Sequence, residues 1–115
     1  MMGLPSGTQV WIAAGITDLR NGFDGLAMRV QSTLARDPFN GHLFVFRGRR
    51  GDMLKVLWWD GDGLCLLAKR LERGRFVWPR AESGAVHLSP AQLSMLLEGI
   101  DWRRPERTAS PARAG

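Results

Sequence analysis

The chain has 115 residues, 44% of them hydrophobic, with five Trp, five Phe and one cysteine. That length fits a single domain with its own core, and one cysteine excludes an internal disulfide or a cysteine-based metal cluster. Net charge is +5, which favours acidic partners over cationic ones, and no apolar run approaches the roughly 18 residues needed to span a bilayer.

Residues 1–7 read as a flexible start, and TQVWIAA (8–14) as a strand rich in β-formers. GITDLRNGFDG (15–25) is a turn region with three glycines. From Asp24 the pattern becomes helical, with Leu26, Val30 and Leu34 four apart. Asp24 is the expected N-cap, and Asp37-Pro38 the expected stop, because a residue before proline avoids helical angles.

HLFVFRG (42–48) is the next strand, followed by the turn GRRGD. DMLKVLWWD (52–60) and LCLLAKRLE (64–72) flank DGDG, a strong hairpin signal that sets Trp59 opposite Leu64 and Lys55 opposite Ala68. The turn Arg73-Gly74 leads into RFVWP (75–79), read as a fourth consecutive strand that Pro79 ends. In LSPAQLSMLLEGIDW (88–102), Ser89 is the N-cap, Pro90 the first helical residue, and Gln92 completes a capping box. Leu93, Leu96, Leu97 and Ile100 form its apolar stripe, and Gly99 is a candidate C-cap. Residues 103–115 lack an apolar anchor and are expected to be disordered. The fold expected is one α+β domain over 8–102, an antiparallel meander of about five strands with two helices. The hairpin strands are apolar on both faces, so either helices cover both or one face meets a partner.

Residues 1–46 and 81–115 are each neutral, so the whole excess of five charges lies in 47–80. Such a patch points to a polyanion; the plainer reading is a solvated face. In Arg47-Gly48-Arg49-Arg50-Gly51 the glycines permit close approach to a phosphate, and the guanidiniums supply charge-assisted bonds. Lys55, Lys69, Arg70, Arg73 and Arg75 extend the candidate surface. Trp58, Trp59, Phe76 and Trp78 could stack bases, although core packing is the simpler expectation.

Asp60 and Asp62 lack the further oxygen ligands a calcium loop needs, and Asp-Gly is what a tight hairpin uses. His42 and His87 stand alone, Cys65 sits in an apolar run, and no nucleophile or nucleotide-binding fingerprint is present. No catalytic centre, cofactor or metal site is therefore expected. With no secretory leader legible, a cytoplasmic location is expected.

F-D-G-L (23–26), D-P-F-x-G-H-L-F-V-F (37–46), R-R-G-D-x-L-K (49–55), W-D-G-D-G (59–63), K-R-L-E-x-G-R-F-x-W-P (69–79) and L-S-x-x-Q-L (88–93) occur in that order. Together they closely resemble the small accessory proteins, called TnpB or "second-frame-like", of the sixty-six family of bacterial insertion sequences. The resemblance spans residues 8 to 102. It departs in lacking an aromatic near Ala68 and in having Trp58 where tyrosine is expected. It implies a non-enzymatic accessory role in transposition beside a larger transposase that carries the chemistry. It supplies no site residues. Two readings follow: contact with element DNA through the basic turns, or a protein–protein adaptor docking around Trp58 and Trp59 without touching DNA. A metal-dependent nuclease at Asp60 and Asp62 is a distant third.

Overall fold

In the computed structural model, which describes residues 4–81 and 83–103, seven elements follow in chain order. They are β1 (Val10–Ile16), α1 (Phe23–Ser32), β2 (Leu43–Arg47), β3 (Met53–Trp59), β4 (Leu64–Arg70), β5 (Ala85–Leu88) and α2 (Pro90–Leu97). The strands form one sheet in the order β4-β3-β2-β1-β5. β2, β3 and β4 make the antiparallel run expected from the turn signals, with Lys55 opposite Ala68 and Trp59 opposite Leu64.

The sheet is mixed, which corrects the antiparallel meander. β1 runs parallel to β2, with Val10 opposite Leu43, because α1 carries the chain back along the sheet before β2 begins, the ordinary origin of parallel neighbours. RFVWP (75–79) is not a strand. Its Phe76 N–H donates to the Gly51 carbonyl at 2.9 Å, and Phe76 and Trp78 are buried in the core. The fifth strand is instead AVHL (85–88), antiparallel to β1 with Val10 opposite Leu88.

Both sheet faces are covered within the chain. Leu26, Ala27, Val30 and Leu34 from the α1 region pack on Phe44, Phe46 and Leu57. On the other face Leu93, Leu96 and Leu97 of α2 join Phe76, Trp78 and Trp102 over Val45, Leu54 and Val56. Ile100, expected in that stripe, is 48% exposed; Trp102 takes the inner place, its Nε1 donating to the Val77 carbonyl at 2.7 Å.

The second helix begins and ends as its sequence demands. Ser89 and Gln92 form the capping box, with Pro90 in the first turn. Gly99 turns left-handed at φ 76, and the Ile100 N–H reaches the Met95 carbonyl at 2.9 Å, closing the helix in the usual glycine-ended manner. The first helix differs from expectation. Its N-cap is Gly22 without a side-chain cap, Asp24 sits in the first turn, and it ends at Ser32, before Ala35 adopts φ 52 and well short of Pro38. Residues 1–3, 82 and 104–115, including nearly all of the expected disordered tail, lie outside the described residues. Among those described, no helix is long and apolar enough to cross a membrane.

Candidate nucleic-acid interface

The basic turn is Gly48-Arg49-Arg50-Gly51, closed by the Gly51 N–H on the Gly48 carbonyl at 3.1 Å. Arg49 and Arg50 occupy its two central positions and are exposed. Its shape is imposed from outside. The Gly51 carbonyl accepts both the Phe76 N–H and the Trp78 Nε1, the latter at 3.0 Å. Gly51 has φ 76, and a Cβ there would lie 3.2 Å from Trp78 Nε1, so glycine is needed for conformation and for space. Gly48 is similarly confined, because a Cβ would stand 3.0 Å from Leu19 Cδ1. The aromatic segment after the basic stretch is thus a clamp on the turn.

Arg47 ends β2, half-buried, its guanidinium carbon 5.6 Å from the Trp78 ring centroid. The Thr17 N–H donates to the Arg47 carbonyl at 2.8 Å, which brings the loop after β1 against the turn after β2. Between them opens a cleft of about 600 Å³ lined by Thr17, Asp18, Arg20, Arg49, Arg50 and Asp52, among others. Arg20 and Asp18 form a 2.7 Å ion pair there. The hydrogen bonds from Arg20 pull the Asp18 carboxyl down to about 2. Thr17 is only 2% exposed, and its hydroxyl has no hydrogen-bond partner among the described residues.

The remaining basic side chains fall into two groups. Arg75 lies beside the turn, its Cδ 3.5 Å from the position a Gly51 Cβ would take, and Arg73 is exposed in the loop before it. Lys55 and Lys69 are on opposite faces of the sheet and each is turned onto a backbone carbonyl. Lys55 Nζ donates to the Asn21 carbonyl at 2.9 Å, and Lys69 Nζ to the Leu97 carbonyl at the end of α2, where a cation complements the helix dipole. Arg70 makes a long 3.4 Å pair with Glu72 at the surface. One end of the sheet therefore gathers Arg20, Arg47, Arg49, Arg50, Arg73 and Arg75. Sequence reading missed Arg20, because only the parallel β1–β2 pairing brings its loop to the turn.

At the opposite end of β3 the DGDG hairpin is self-contained. Asp60 Oδ1 accepts the N–H groups of Asp62 and Gly63 at 3.1 and 3.0 Å, and Oδ2 faces the Cys65 thiol at 3.4 Å. These bonds, chiefly from Asp62, lower the Asp60 carboxyl to about 2, and the hydrogen bond with Asp60, then the Asp60 charge, raise Asp62 in turn. Among the described residues no three His, Cys, Asp or Glu side chains come together to hold a metal. His42 is occupied, its Nδ1 accepting the Gln9 N–H at 2.9 Å, and His87 meets the edge of Trp11 at 4.9 Å.

Trp58 and Trp59 are both half-buried and, with Phe39, Leu4 and Leu43, line a second cleft of about 440 Å³ beside this hairpin. Phe39 meets Trp59 edge-on at 5.7 Å.

A family model described as "IS66 Orf2 like protein" matches residues 8–107. The chain is 61% identical to the protein y4hO of Sinorhizobium fredii, over 97% of this chain and 99% of that one. It is 42% identical to y4jC of the same organism, over 93% of this chain and 92% of the relative. Both relatives are described only as uncharacterized proteins. No solved structure matches the chain.

Proposed function

The chain belongs to the family of IS66 Orf2-like proteins, and from that premise we propose that it is a non-enzymatic transposition factor that holds element DNA by its phosphates. Membership makes it a transposition-associated accessory protein; the family is not a known catalytic one. The DNA-contacting surface is the arginine end of the sheet, with Arg49 and Arg50 at the tip, Arg47, Arg73 and Arg75 beside them and Arg20 across the cleft. Lys55 and Lys69 are engaged with carbonyls and Arg70 with Glu72, so these three serve as long-range attraction rather than contact. The transposase of the same element is the protein acting alongside.

The observation that carries this reading is the exposed pair Arg49 and Arg50. A tight turn clamped by Trp78 presents both, and among the described residues neither side chain makes an ion pair or hydrogen bond. With the turn backbone already held, only side-chain freedom is lost on meeting phosphates, and guanidiniums fork well onto their oxygens. Fluorescence anisotropy of the protein on a duplex from the element's end, against a scrambled duplex, tests it. Salt-sensitive binding to both is expected, and tighter binding to the true end would add sequence recognition. Absence of binding at low salt would overturn it. The adaptor reading would then stand on the cleft of Trp58, Trp59 and Phe39, with Trp59→Ala expected to stop co-purification with the transposase while leaving the fold intact.

A further inference from the structure

The sheet has two outer strands of unlike character. β5 has four residues, bounded by Gly84 and by Ser89-Pro90, a short edge of the kind that resists further pairing. β4 has seven residues, without proline or bulge, paired in unbroken register with β3 on one side only.

Two hydrogen bonds fix which way its backbone points. Asp60 N–H donates to Gly63 O at 3.1 Å and Leu71 N–H to Asp52 O at 2.8 Å. Alternation between them makes Cys65, Leu67 and Lys69 bond inward to β3, leaving Leu64, Leu66, Ala68 and Arg70 with N–H and C=O directed outward. Among the described residues nothing bonds to those outward backbone groups. The strand is also polar end to end, in the sense of charge. Asp60 and Asp62 stand at its start; Lys69, Arg70 and Arg73 stand at its finish against a single Glu72.

We propose that this edge is the interface of a homodimer, in which β4 pairs antiparallel with β4 of a second copy to make a continuous ten-stranded sheet. With the twofold axis at Leu66, that residue faces its own copy, Leu64 faces Ala68, and Arg70 faces Asp62 of the other chain, once on each side of the axis. The register uses the outward-bonding residues alone, and it sets the basic end of the strand against the acidic turn. An opposed guanidinium also favours the ionised Asp62 carboxylate, which the hydrogen bond with Asp60 and the Asp60 charge disfavour. The axis runs through the sheet, so both α1 helices lie on one face. The α1 backbone is closest to β3 and β4 and carries Phe23 and Met28, 48% and 66% exposed, apolar surface available to flank the junction. The dimer does not depend on DNA binding.

Sedimentation equilibrium of the full chain across a concentration series tests this. The expected result is a mass rising from 12.8 kDa to twice that value. Ala68→Pro removes only an outward N–H, which an edge strand tolerates, so it should leave a folded monomer by far-UV circular dichroism. Asp62→Arg should weaken the dimer by about tenfold or more by setting like charges opposite one another, and adding Arg70→Asp should restore it. Should Ala68→Pro fail to fold, the charge-reversal pair decides alone. A wild-type chain that stays monomeric at several hundred micromolar, or a double reversal weaker than Asp62→Arg alone, would overturn the proposal; the former would leave the edge to an extended segment of another protein.

Discussion

β3 is entered through one tight turn and left through another, and the two are built on opposite plans. The turn at Asp60–Gly63 takes its hydrogen bonds from itself, with the Asp60 carboxylate accepting two backbone N–H groups of its own loop. The turn at Gly48–Gly51 takes its shape from a distance, through Trp78, 27 residues on, and through Leu19 of the loop after β1. The first carries Asp60, whose carboxylate serves local geometry. The second carries arginines whose own side chains shape nothing in the turn. A side chain that stabilises its own turn is committed there; a turn stabilised by others can display all its side chains to a partner.

The largest expected effect separates the two turns by their dependence on the core. Trp78→Ala removes a buried ring and the hydrogen bond to Gly51, and should cost about 3–5 kcal/mol by chemical denaturation, as large aromatic truncations do. It should also loosen Arg49 and Arg50. A loss under about 1 kcal/mol would mean the turn holds its shape without the clamp.

A smaller contrast concerns the glycines. Both Gly51 and Gly61 have positive φ, at 76 and 115, so alanine strains either backbone. A Cβ at Gly61 meets nothing within 4 Å, whereas at Gly51 it presses on Trp78. Gly51→Ala should therefore be about 1–3 kcal/mol more destabilising than Gly61→Ala, the range for overpacking. Equal losses would show that Trp78 yields freely.

The smallest contrast is in acid. Asp60 and Asp18 both titrate near 2 in the fold, from an ordinary value of 3.8. Depressed carboxyls contribute stability that is complete above about pH 4 and is lost as pH falls toward 2. Asp60→Ala and Asp18→Ala should each flatten thermal stability across that window. The causes differ: backbone N–H groups hold Asp60, while the exposed Arg20 holds Asp18. Added salt should weaken the Asp18 contribution far more. Identical salt responses would contradict the assignment.

The same division explains what could be read from the residues alone. The capping box of Ser89 and Gln92, the glycine end of α2 and the tight turn that sets the β3–β4 register are all local signals, and all are as the pattern requires. The parallel pairing of β1 with β2 rests on a crossover, and the antiparallel meander missed it. RFVWP resembles a strand because core-filling aromatics and strand-formers are the same residues; its Phe76 N–H and Trp78 Nε1 go to Gly51 and not to a ladder. AVHL is too short to signal itself, and it pairs with β1 only because that edge is left open. For the candidate site, the turn and its arginines were legible, whereas the clamp by Trp78, the place of Arg20 and the engagement of Lys55 and Lys69 with carbonyls required the tertiary arrangement.

If the clamped turn displays its arginines to phosphate, the salt dependence of DNA affinity must change in Arg49→Ala/Arg50→Ala. Neither residue supports the fold, so stability should stay within about 0.5 kcal/mol of the parent. Affinity should fall alike on specific and scrambled duplexes, and the slope of log affinity against log salt should shrink by up to about 2, the loss of two phosphate contacts. An unchanged slope and affinity in a folded double variant would contradict the account.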